Sequence, residues 1–187
     1  RVVNGVAFHD NGTVRDISVG NWQMRAAAVE LVRPFEEVAD QVLHESNVGW
    51  IRGRIINTPV AKTNRRLHWA RLREQPAAVL LLDFAKAFPS VCLESMWAVL
   101  LAMGWPSSRV DALRHLHTDM RQTTCIGPHR FEGPLREAGL WTGSGASTLL
   151  LLCLLDVFAT TIFANESFGR DVPLLSDLEA FADDYSV

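Results

Sequence analysis

The sequence has few cysteines, and their spacing excludes two common uses of this residue. Cys92, Cys125 and Cys153 lie far apart, with no C-x-x-C pair and no neighbouring group of histidines. A structural zinc site needs clustered ligands, and a disulfide framework needs cysteines at regular spacings in a small secreted domain. We therefore expect neither, and we expect a protein of a reducing compartment.

Long hydrophobic runs are also scarce. Only residues 146–164 approach the length of a membrane span, and Asp156 stands near the centre of this run, where a charge is costly in lipid. We predict a buried helix there and no membrane segment. The opening residues have no signal-peptide pattern, and the reducing compartment expected from the cysteines predicts an intracellular protein. With 187 residues, 48% of them hydrophobic, the chain can fold around one sizeable core or two lobes.

Acidic residues are nearly missing between residues 50 and 75. Glu74 is the only acid in this segment, against seven basic residues. These are Arg52, Arg54, Lys62, Arg65, Arg66, Arg71 and Arg73. Such an excess of positive charge suits a polyanionic partner, but a solvated helix surface has the same composition. Charge alone leaves both interpretations open.

The hydrophobic pattern predicts an α+β fold. A hairpin over residues 1–20 precedes helical spacing over residues 22–43, which Pro34 divides or kinks. Thr58 and Pro59 favour the start of another helix that reaches about Arg73. The remaining predicted elements are a strand at 77–84 that is buried on both faces, helices starting near Leu93 and Ser107, a hairpin around 123–131, an apolar helix at 147–164 and a strand at 178–182.

Two of the predicted strands end in acidic residues. Asp83 lies near the end of the first, and Asp183 and Asp184 follow the second, 100 residues later. If the two strands are neighbours, these carboxylates can hold two Mg²⁺ ions, which take oxygen ligands and support phosphoryl transfer. Taken singly, Asp83 could instead cap a turn, and the Asp pair could occupy a hairpin turn.

Four segments resemble motifs of reverse transcriptases, and they follow one another in the order of that family. Residues 82–91 (LDFAKAFPSV) resemble motif A in the D-x-x-K-A-F-D form of non-LTR, LINE-type retrotransposons, and residues 181–184 (FADD) match their motif C. Residues 15–21 (RDISVGN) resemble the fingers motif R-P-I-S-x-x-N, and residues 48–54 (VGWIRGR) resemble x-G-F-x-x-G-R. Coincidence explains four ordered matches far less easily than one.

The resemblance extends from the fingers to motif C and implies a right-hand polymerase. Residues 1–75 would be fingers-like, and residues 76–187 would form a partial palm whose antiparallel sheet packs on helices. The implied activity is that of an RNA-directed DNA polymerase, a nucleotidyltransferase that adds deoxynucleotides to a primer 3′-hydroxyl by two-metal phosphoryl transfer.

By the same resemblance, the metal ligands are assigned residue by residue. Asp83 would bridge two Mg²⁺ ions, for which Mn²⁺ can substitute. Asp183 would be the principal second carboxylate and Asp184 a supporting one, and the backbone carbonyl of Phe84 would be a further ligand. These roles are implied by the motifs and not by the spacing of the acids.

The resemblance also implies contacts with nucleotide and nucleic acid. Phe88 occupies the position of an aromatic steric gate, where a ring packed against C2′ leaves no room for a ribose hydroxyl; it could instead be a core residue. Arg15, Arg25 and Gly143 match positions near the incoming nucleotide, and arginine suits a triphosphate as a planar bidentate donor. Candidates for contacts with template or primer are Arg52, Gly53, Arg54, Lys62, Arg66, Arg73 and Thr142.

The partners so implied are an RNA template, a DNA primer and deoxynucleoside triphosphates, and the implied location is the nucleus. A C-terminal thumb would complete such an enzyme, and the resemblance leaves open an endonuclease domain in the full-length protein. Val187 comes three residues after Asp184, with no counterpart of the next palm motif, primer grip or thumb. We therefore expect residues 1–187 alone to extend primers poorly or not at all.

Motif B departs most from the pattern of the family. Where the family has G-x-x-Q-G-x-P-L-S-P, residues 139–148 read GLWTGSGAST, so that Thr142 replaces a glutamine and Gly145 replaces a proline. Threonine reaches less far than glutamine, and glycine loosens the turn before the next helix. Two alternatives therefore accompany the polymerase: an inactive nucleic-acid-binding scaffold or decayed element copy derived from a reverse transcriptase, and an RNA-dependent RNA polymerase.

Overall fold

The structure of the protein is a computed structural model, which describes most of the chain. The described residues are 2–8, 14–77, 79, 81–126, 128–164, 179–181 and 184–186. Within them, the backbone alone is described for 2–8, 14–19, 82, 122, 124–126, 134, 162–164, 179–181 and 184–186. Asp183 therefore lies outside the described residues, and Arg15 and Asp184 are described by their backbone.

The described chain mixes helices and strands, which confirms the predicted α+β class. The helices are α1 (Trp22–Glu36), α2 (Ala39–Val42), α3 (Asn57–Leu72), α4 (Ala87–Ser90), α5 (Leu93–Ala102), α6 (Ser107–His117) and α7 (Ser147–Ala164). The strands are β1 (Val2–Phe8), β2 (Val14–Val19), β3 (Leu81–Asp83), β4 (Arg121–Ile126), β5 (His129–Leu135), β6 (Glu179–Phe181) and β7 (Asp184–Ser186).

The strands form two sheets. The first has the order β2-β1-β4-β5, in which β1 and β4 run parallel and the other neighbours run antiparallel. The second has the order β3-β7-β6 and is antiparallel throughout. The two predicted hairpins, β1–β2 and β4–β5, are confirmed, whereas the packing of an antiparallel sheet on helices stays a prediction.

Contacts divide the chain into two compact units, each made of two segments that are distant in sequence. Unit one comprises Arg1–Pro34 and Lys86–Leu151, and unit two comprises Phe35–Ala85 and Leu152–Val187. The first sheet belongs to unit one and the second sheet to unit two. The assignment of residues 1–75 to fingers and 76–187 to palm stays a prediction.

The core of unit one is built around helices α5 and α6. Their buried residues recur every three or four positions, so that each helix buries one face. These residues are Met96, Trp97 and Leu100 of α5, and Val110, Leu113 and His117 of α6. Both helices were predicted, and α6 begins at Ser107, after an N-cap residue, Pro106, that makes no side-chain capping hydrogen bond. Gly104, at φ +84°, terminates α5, because glycine adopts this left-handed conformation without a steric cost.

Helix α7 confirms the buried apolar helix predicted between residues 147 and 164. Its second half supplies the core of unit two, where Leu152, Cys153 and Ala159 are almost completely buried. Asp156 is buried with them and is only 7% exposed. Among the helices of the described chain, none combines the length and the apolar character that a membrane crossing requires.

The strand that leads to Asp83 is shorter and more exposed than predicted. Strand β3 covers Leu81–Asp83 instead of residues 77–84, and Leu81 is 77% exposed. An apolar run predicts burial on both faces, which applies to a central strand of a covered sheet. Strand β3 lies instead at the edge of the described three-stranded sheet and pairs with β7 alone.

Two proline positions also differ from the prediction. Helix α3 begins at Asn57, not after a Thr58 cap, and Pro59 is its third residue. The missing N–H of this proline is harmless there, because the first four amides of a helix have no partner within the helix. Pro34 lies inside α1, and the predicted division of residues 22–43 falls after Glu36 instead.

Candidate active site

The pairing of β3 with β7 brings together two of the predicted acids. Asp83 and Asp184 are partners in the antiparallel register. The side chain of Asp83 is exposed. Directly opposite positions on antiparallel strands have Cβ atoms about 4.5–5.5 Å apart, and like charges at such positions destabilise the pair. Motif A and motif C thus meet at one position of the sheet in unit two.

The residues that follow Asp83 are held by a ring contact and a tight turn. The ring of Phe84 meets Phe158 of α7 edge to face, with centroids 5.8 Å apart. Such a pair contributes about 0.5–1.5 kcal/mol beyond its buried area. Lys86 then adopts a left-handed conformation, with φ +54°, and leads into α4. A residue with a Cβ atom pays about 1 kcal/mol for this conformation.

Two backbone hydrogen bonds tie the end of motif A to motif B within unit one. The N–H of Leu140 donates to the carbonyl oxygen of Phe88, and the N–H of Gly139 donates to that of Val91, each at 2.8 Å. The side chain of Phe88 is half-buried. The predicted steric gate and the first turn of motif B are therefore held together by the backbone.

Gly139 makes this close approach possible. It lies at φ +83°, and a Cβ atom built on it would lie 2.6 Å from the carbonyl oxygen and 2.8 Å from the Cα atom of Pro89. Those atoms belong to the backbone, so they cannot move aside as a flexible side chain can. Glycine is required here for both conformation and space.

Trp141 anchors the rest of motif B in the core of unit one. Its ring is fully buried and stacks on His117, with centroids 5.0 Å apart. A Cβ atom on Gly20, next to the end of the fingers motif, would lie 3.2 Å from the same indole ring. Thr142 is exposed and Gly143 is half-buried. The tryptophan thus holds this loop while Thr142 lies at the surface.

The fingers motif ends in a helix cap. The side-chain oxygen of Asn21 accepts a hydrogen bond from the N–H of Met24 at 2.8 Å, which stabilises the start of α1. Arg25 lies in the first turn of α1 and is exposed. Arg15 lies on β2, where its register partner is Ala7. Both arginines belong to unit one, as do Phe88 and Gly143.

The guanidinium group of Arg54 is hydrogen-bonded within unit two. Its side chain is 11% exposed, and its five hydrogen bonds lie between 2.6 and 2.9 Å. The acceptors are the carbonyl oxygens of Asp40, Leu43, His44 and Asn47 and the carboxylate of Asp40. All three nitrogens of the guanidinium group donate to the protein, so this geometry does not favour the predicted phosphate contact at Arg54.

The other predicted template and primer residues lie near the surface. Arg52 and Gly53 are exposed in the loop before α3, with Gly53 at φ +88°. Lys62, Arg66 and Arg73 follow one side of α3 and its C-terminal end, and Pro59 is the buried residue of this helix. Lys62 is half-buried, and the two arginines are exposed.

The described side chains do not by themselves form a metal cage. Among them, no group of three or more histidines, cysteines and acids could hold a metal ion. Asp183 and the side chain of Asp184 are not described. The predicted two-metal site therefore depends on the backbone pairing of Asp83 with Asp184.

The fold resembles that of solved telomerases. The chain matches telomerase from Candida tropicalis in complex with a TWJ fragment of telomeric RNA with a TM-score of 0.65, and the apo enzyme truncated from the C-terminal domain with a TM-score of 0.59, each at 10% identity. Telomerase from Candida albicans, also in complex with a TWJ fragment of telomeric RNA, matches with a TM-score of 0.59 at 9% identity. These matches cover 98–99% of this chain and 35–43% of the telomerase chains.

The chain has a reverse-transcriptase-like fold. At identities near 10% the likeness shows the fold alone. No protein-family model matches the sequence, and neither does any curated protein. The chain spans well under half of the telomerase chains, so it corresponds to one part of their fold.

Asp156 supports this reverse-transcriptase-like fold in a way that sequence reasoning missed. Its Oδ1 atom accepts hydrogen bonds from the N–H of His44 at 2.7 Å and from the side-chain amide of Asn47 at 2.8 Å. A single acid in an apolar helix indicates that hydrogen-bond donors lie next to it in the core, because a buried charge needs hydrogen bonds. The partners themselves lie more than 100 residues away, so no local pattern could identify them.

Replacement of Gly139 tests the link between motifs A and B. We expect Gly139→Ala to lower the free energy of unfolding by about 2–4 kcal/mol, because the left-handed conformation and the overlap with Pro89 both add a cost. Chemical denaturation measures this change. Gly104→Ala is the matched control, since Gly104 has nearly the same φ, +84°, and no atom within 4 Å of an added Cβ. Equal losses in the two variants would contradict the proposed overlap.

His117 is a buried, neutral histidine in the core of unit one. Its Nδ1–H donates to the carbonyl oxygen of Leu113 at 2.8 Å, and Nε2 has no hydrogen-bond partner. The ring lies against both Trp97 and Trp141. Burial lowers the pKa of His117 from its ordinary value of 6.5, and the charge of Arg136 lowers it further, against the hydrogen bond to Leu113.

Acidification should therefore destabilise the protein through His117. Below the ordinary pKa of 6.5, the unfolded state binds more protons at this residue than the folded state, whose pKa is lowered, so the free energy of unfolding falls as the pH falls. Denaturation at a series of pH values measures the slope. His117→Phe should flatten the slope while it keeps an aromatic ring in place. His115→Gln, at an exposed position of the same helix, should leave it unchanged, and a slope that survives His117→Phe would refute the assignment.

Proposed function

We propose that this chain is the fingers and partial palm of an RNA-directed DNA polymerase of the non-LTR retrotransposon type. It would add deoxynucleotides to a DNA primer on an RNA template. The four ordered motifs support the retrotransposon type, and the reverse-transcriptase-like fold supports the enzyme class. Telomeric RNA in the solved telomerase complexes supports a nucleic-acid partner. The proposal includes the division at residue 75 into fingers and palm, and action in the nucleus.

The register of β3 and β7 carries this proposal. Asp83 and Asp184 occupy opposite positions on antiparallel strands, where like charges are unfavourable unless a cation balances them. Mg²⁺ and Mn²⁺ fit such residues because both take carboxylate oxygens. Asp83, Asp183 and Asp184 would hold two ions, together with the carbonyl of Phe84. When bound, the ions would activate the primer 3′-hydroxyl and neutralise the leaving pyrophosphate.

The residues of unit one would select and orient the nucleotide. Phe88 would exclude a ribose 2′-hydroxyl by contact with C2′, and its backbone bond to Leu140 would keep it beside motif B. Arg15 and Arg25 would bind the triphosphate. Gly143 would leave room for the nucleotide, and Thr142 would position the template.

Unit two would hold the backbones of template and primer. Arg52, Gly53, Lys62, Arg66 and Arg73 remain the proposed phosphate contacts. Such contacts fix the register of the nucleic acid without reading its sequence. We leave Arg54 out of this set because its guanidinium group already donates five hydrogen bonds within the protein.

Single-nucleotide addition tests the proposal. With the full-length protein in excess over an annealed RNA template and DNA primer, one turnover reports on the chemistry and does not depend on processive synthesis. We expect Mg²⁺-dependent addition of the complementary deoxynucleotide, which Asp83→Asn abolishes. Equal addition of ribonucleotides, unaffected by Phe88→Ala, would favour the RNA-dependent RNA polymerase instead.

The changed motif B favours a second candidate, a nucleic-acid-binding scaffold without catalytic activity. Thr142 has a shorter side chain than the glutamine that the family has at this position. At Gly145, where the family has a proline, an added Cβ atom would lie only 3.1 Å from the Cγ2 atom of Val29 in α1. The scaffold would bind template and primer with or without Asp83→Asn. Such binding, combined with no addition by the full-length protein, would select it over the polymerase.

A further inference from the structure

Helix α3 leaves an aromatic side chain at the surface among its basic residues. Pro59 is the buried residue of the helix, and Trp69 is 52% exposed. Trp69 lies seven residues after Lys62, three after Arg66 and four before Arg73. Residues three, four and seven apart share one face of a helix. We call Lys62, Arg66, Trp69 and Arg73 the stacking face.

Arg73 contacts the indole ring within this face. Its guanidinium carbon lies 5.5 Å from the centroid of Trp69. A cation over an aromatic ring is attracted by the charge distribution of the ring, which restrains the position of both groups. The contact orders Trp69 at the surface and keeps a positive charge beside it.

The charges around Trp69, taken together with its exposed ring, suit one class of partner. The segment between residues 50 and 75 has seven basic residues and one acid, Glu74, so it attracts a polyanion. A tryptophan at such a site adds a flat apolar surface, which the side chains that bind phosphates lack. Sequence-tolerant binding of single strands combines these two features: cations that follow the backbone and aromatic rings on which bases stack.

We propose that Trp69 stacks on an unpaired base of the RNA template, while Lys62, Arg66 and Arg73 bind the neighbouring phosphates. The proposal deepens the proposed function and rests on it for the identity of the strand. A base within a duplex is covered on both sides by its neighbours, so the indole ring can reach only single-stranded template. Lys62 and Arg73 lie 11 residues apart, which is about 16 Å along a helix and matches several nucleotides.

Equilibrium binding to short RNA tests this role. The probes are a fluorescent single strand of about 12 nucleotides without self-pairing and the blunt duplex of the same sequence, both in EDTA without nucleotides. We expect Trp69→Leu to weaken binding of the single strand by about 10- to 100-fold and to leave binding of the duplex unchanged. Trp69→Phe, which keeps an aromatic face, should retain most of the affinity.

The salt dependence separates stacking from charge. Trp69→Leu should leave the slope of log K against log salt unchanged, whereas Arg66→Gln should reduce it by about 0.7 for a single strand. Trp22→Leu is the matched control, because Trp22 is 73% exposed and lies on α1 in the other unit. Circular dichroism of each variant checks that the helices remain folded.

Several results would overturn the proposal. These are no loss with Trp69→Leu, an equal loss with Trp22→Leu, an equal loss for duplex and single strand, or a loss with Trp69→Phe as large as with Trp69→Leu. Failure of the proposed function would be seen in the nucleotide-addition assay, as no addition although the RNA still binds. The two proposals can therefore fail separately.

Discussion

Asp83→Asn should abolish nucleotide addition, with a loss of about 10³-fold or more. The substitution removes one of the charges that would hold both metal ions, and a metal-stabilised transition state loses several kcal/mol without them. Asparagine keeps nearly the same size, so β3 should still pair with β7. The measurement is the single-turnover rate of adding one deoxynucleotide to a primer.

The same variant should change stability in two opposite ways. Without metal, it removes a like-charged neighbour of Asp184, so the free energy of unfolding should rise by up to about 1 kcal/mol. With Mg²⁺ at about ten times the dissociation constant, the wild type should gain about 1.4 kcal/mol, and the variant should gain little. The variant should thus be more stable than the wild type without metal and less stable with Mg²⁺. We expect this reversal only for acids that share a cation.

Glu132→Gln is the matched control for Asp83→Asn. Glu132 is an acid on a strand of the other sheet, and its side chain is 91% exposed. Its replacement should leave both the metal-free stability and the stabilisation by Mg²⁺ close to those of the wild type. An unchanged response to Mg²⁺ in Asp83→Asn would contradict the proposed metal site, whatever its activity.

Arg54→Met should destabilise unit two by about 3 kcal/mol or more. The methionine fills part of the space but removes the Arg54 donor from four carbonyl oxygens, at Asp40, Leu43, His44 and Asn47, of which that of His44 keeps the N–H of Asn47. Unsatisfied polar groups account for most of this cost, because the ion pair with Asp40, whose side chain is 61% exposed, contributes little. Urea denaturation measures the change.

Arg52→Met is the control for Arg54→Met. Arg52 lies two residues away in the same loop and is exposed, so its replacement should change the free energy of unfolding by less than about 0.5 kcal/mol. Hydrogen exchange of residues 43–54 should accelerate in Arg54→Met and not in Arg52→Met. Similar stability in the two variants would show that the hydrogen bonds of Arg54 do not hold this loop.

The different fates of Arg52 and Arg54 show how far a motif can be interpreted without a structure. Both arginines belong to the segment VGWIRGR, and the sequence offers no reason to separate them. The fold turns one toward four carbonyl oxygens and leaves the other at the surface. The direction of a side chain depends on the path of the backbone around it, and that path is set by contacts distant in sequence.

Helices α5 and α7 could be predicted because their signals are local. The apolar spacing of α5, the glycine that ends it and the apolar run of α7 each act within a few turns of one helix. Strand β3 was predicted less well, because the burial of an apolar run depends on which strands lie beside it. Here a single described neighbour, β7, leaves Leu81 exposed.

The sequence by itself determined the acids, the aromatic residue within motif A and the order of the reverse-transcriptase motifs, because these are matters of residue type and spacing. Only the tertiary structure decided that Asp83 pairs with Asp184, that Gly139 must lie against Pro89, and that Asp156 accepts hydrogen bonds from His44 and Asn47. Each of these joins segments about 50 to 110 residues apart. Contacts over such separations form through the packing of whole elements, which local spacing does not encode.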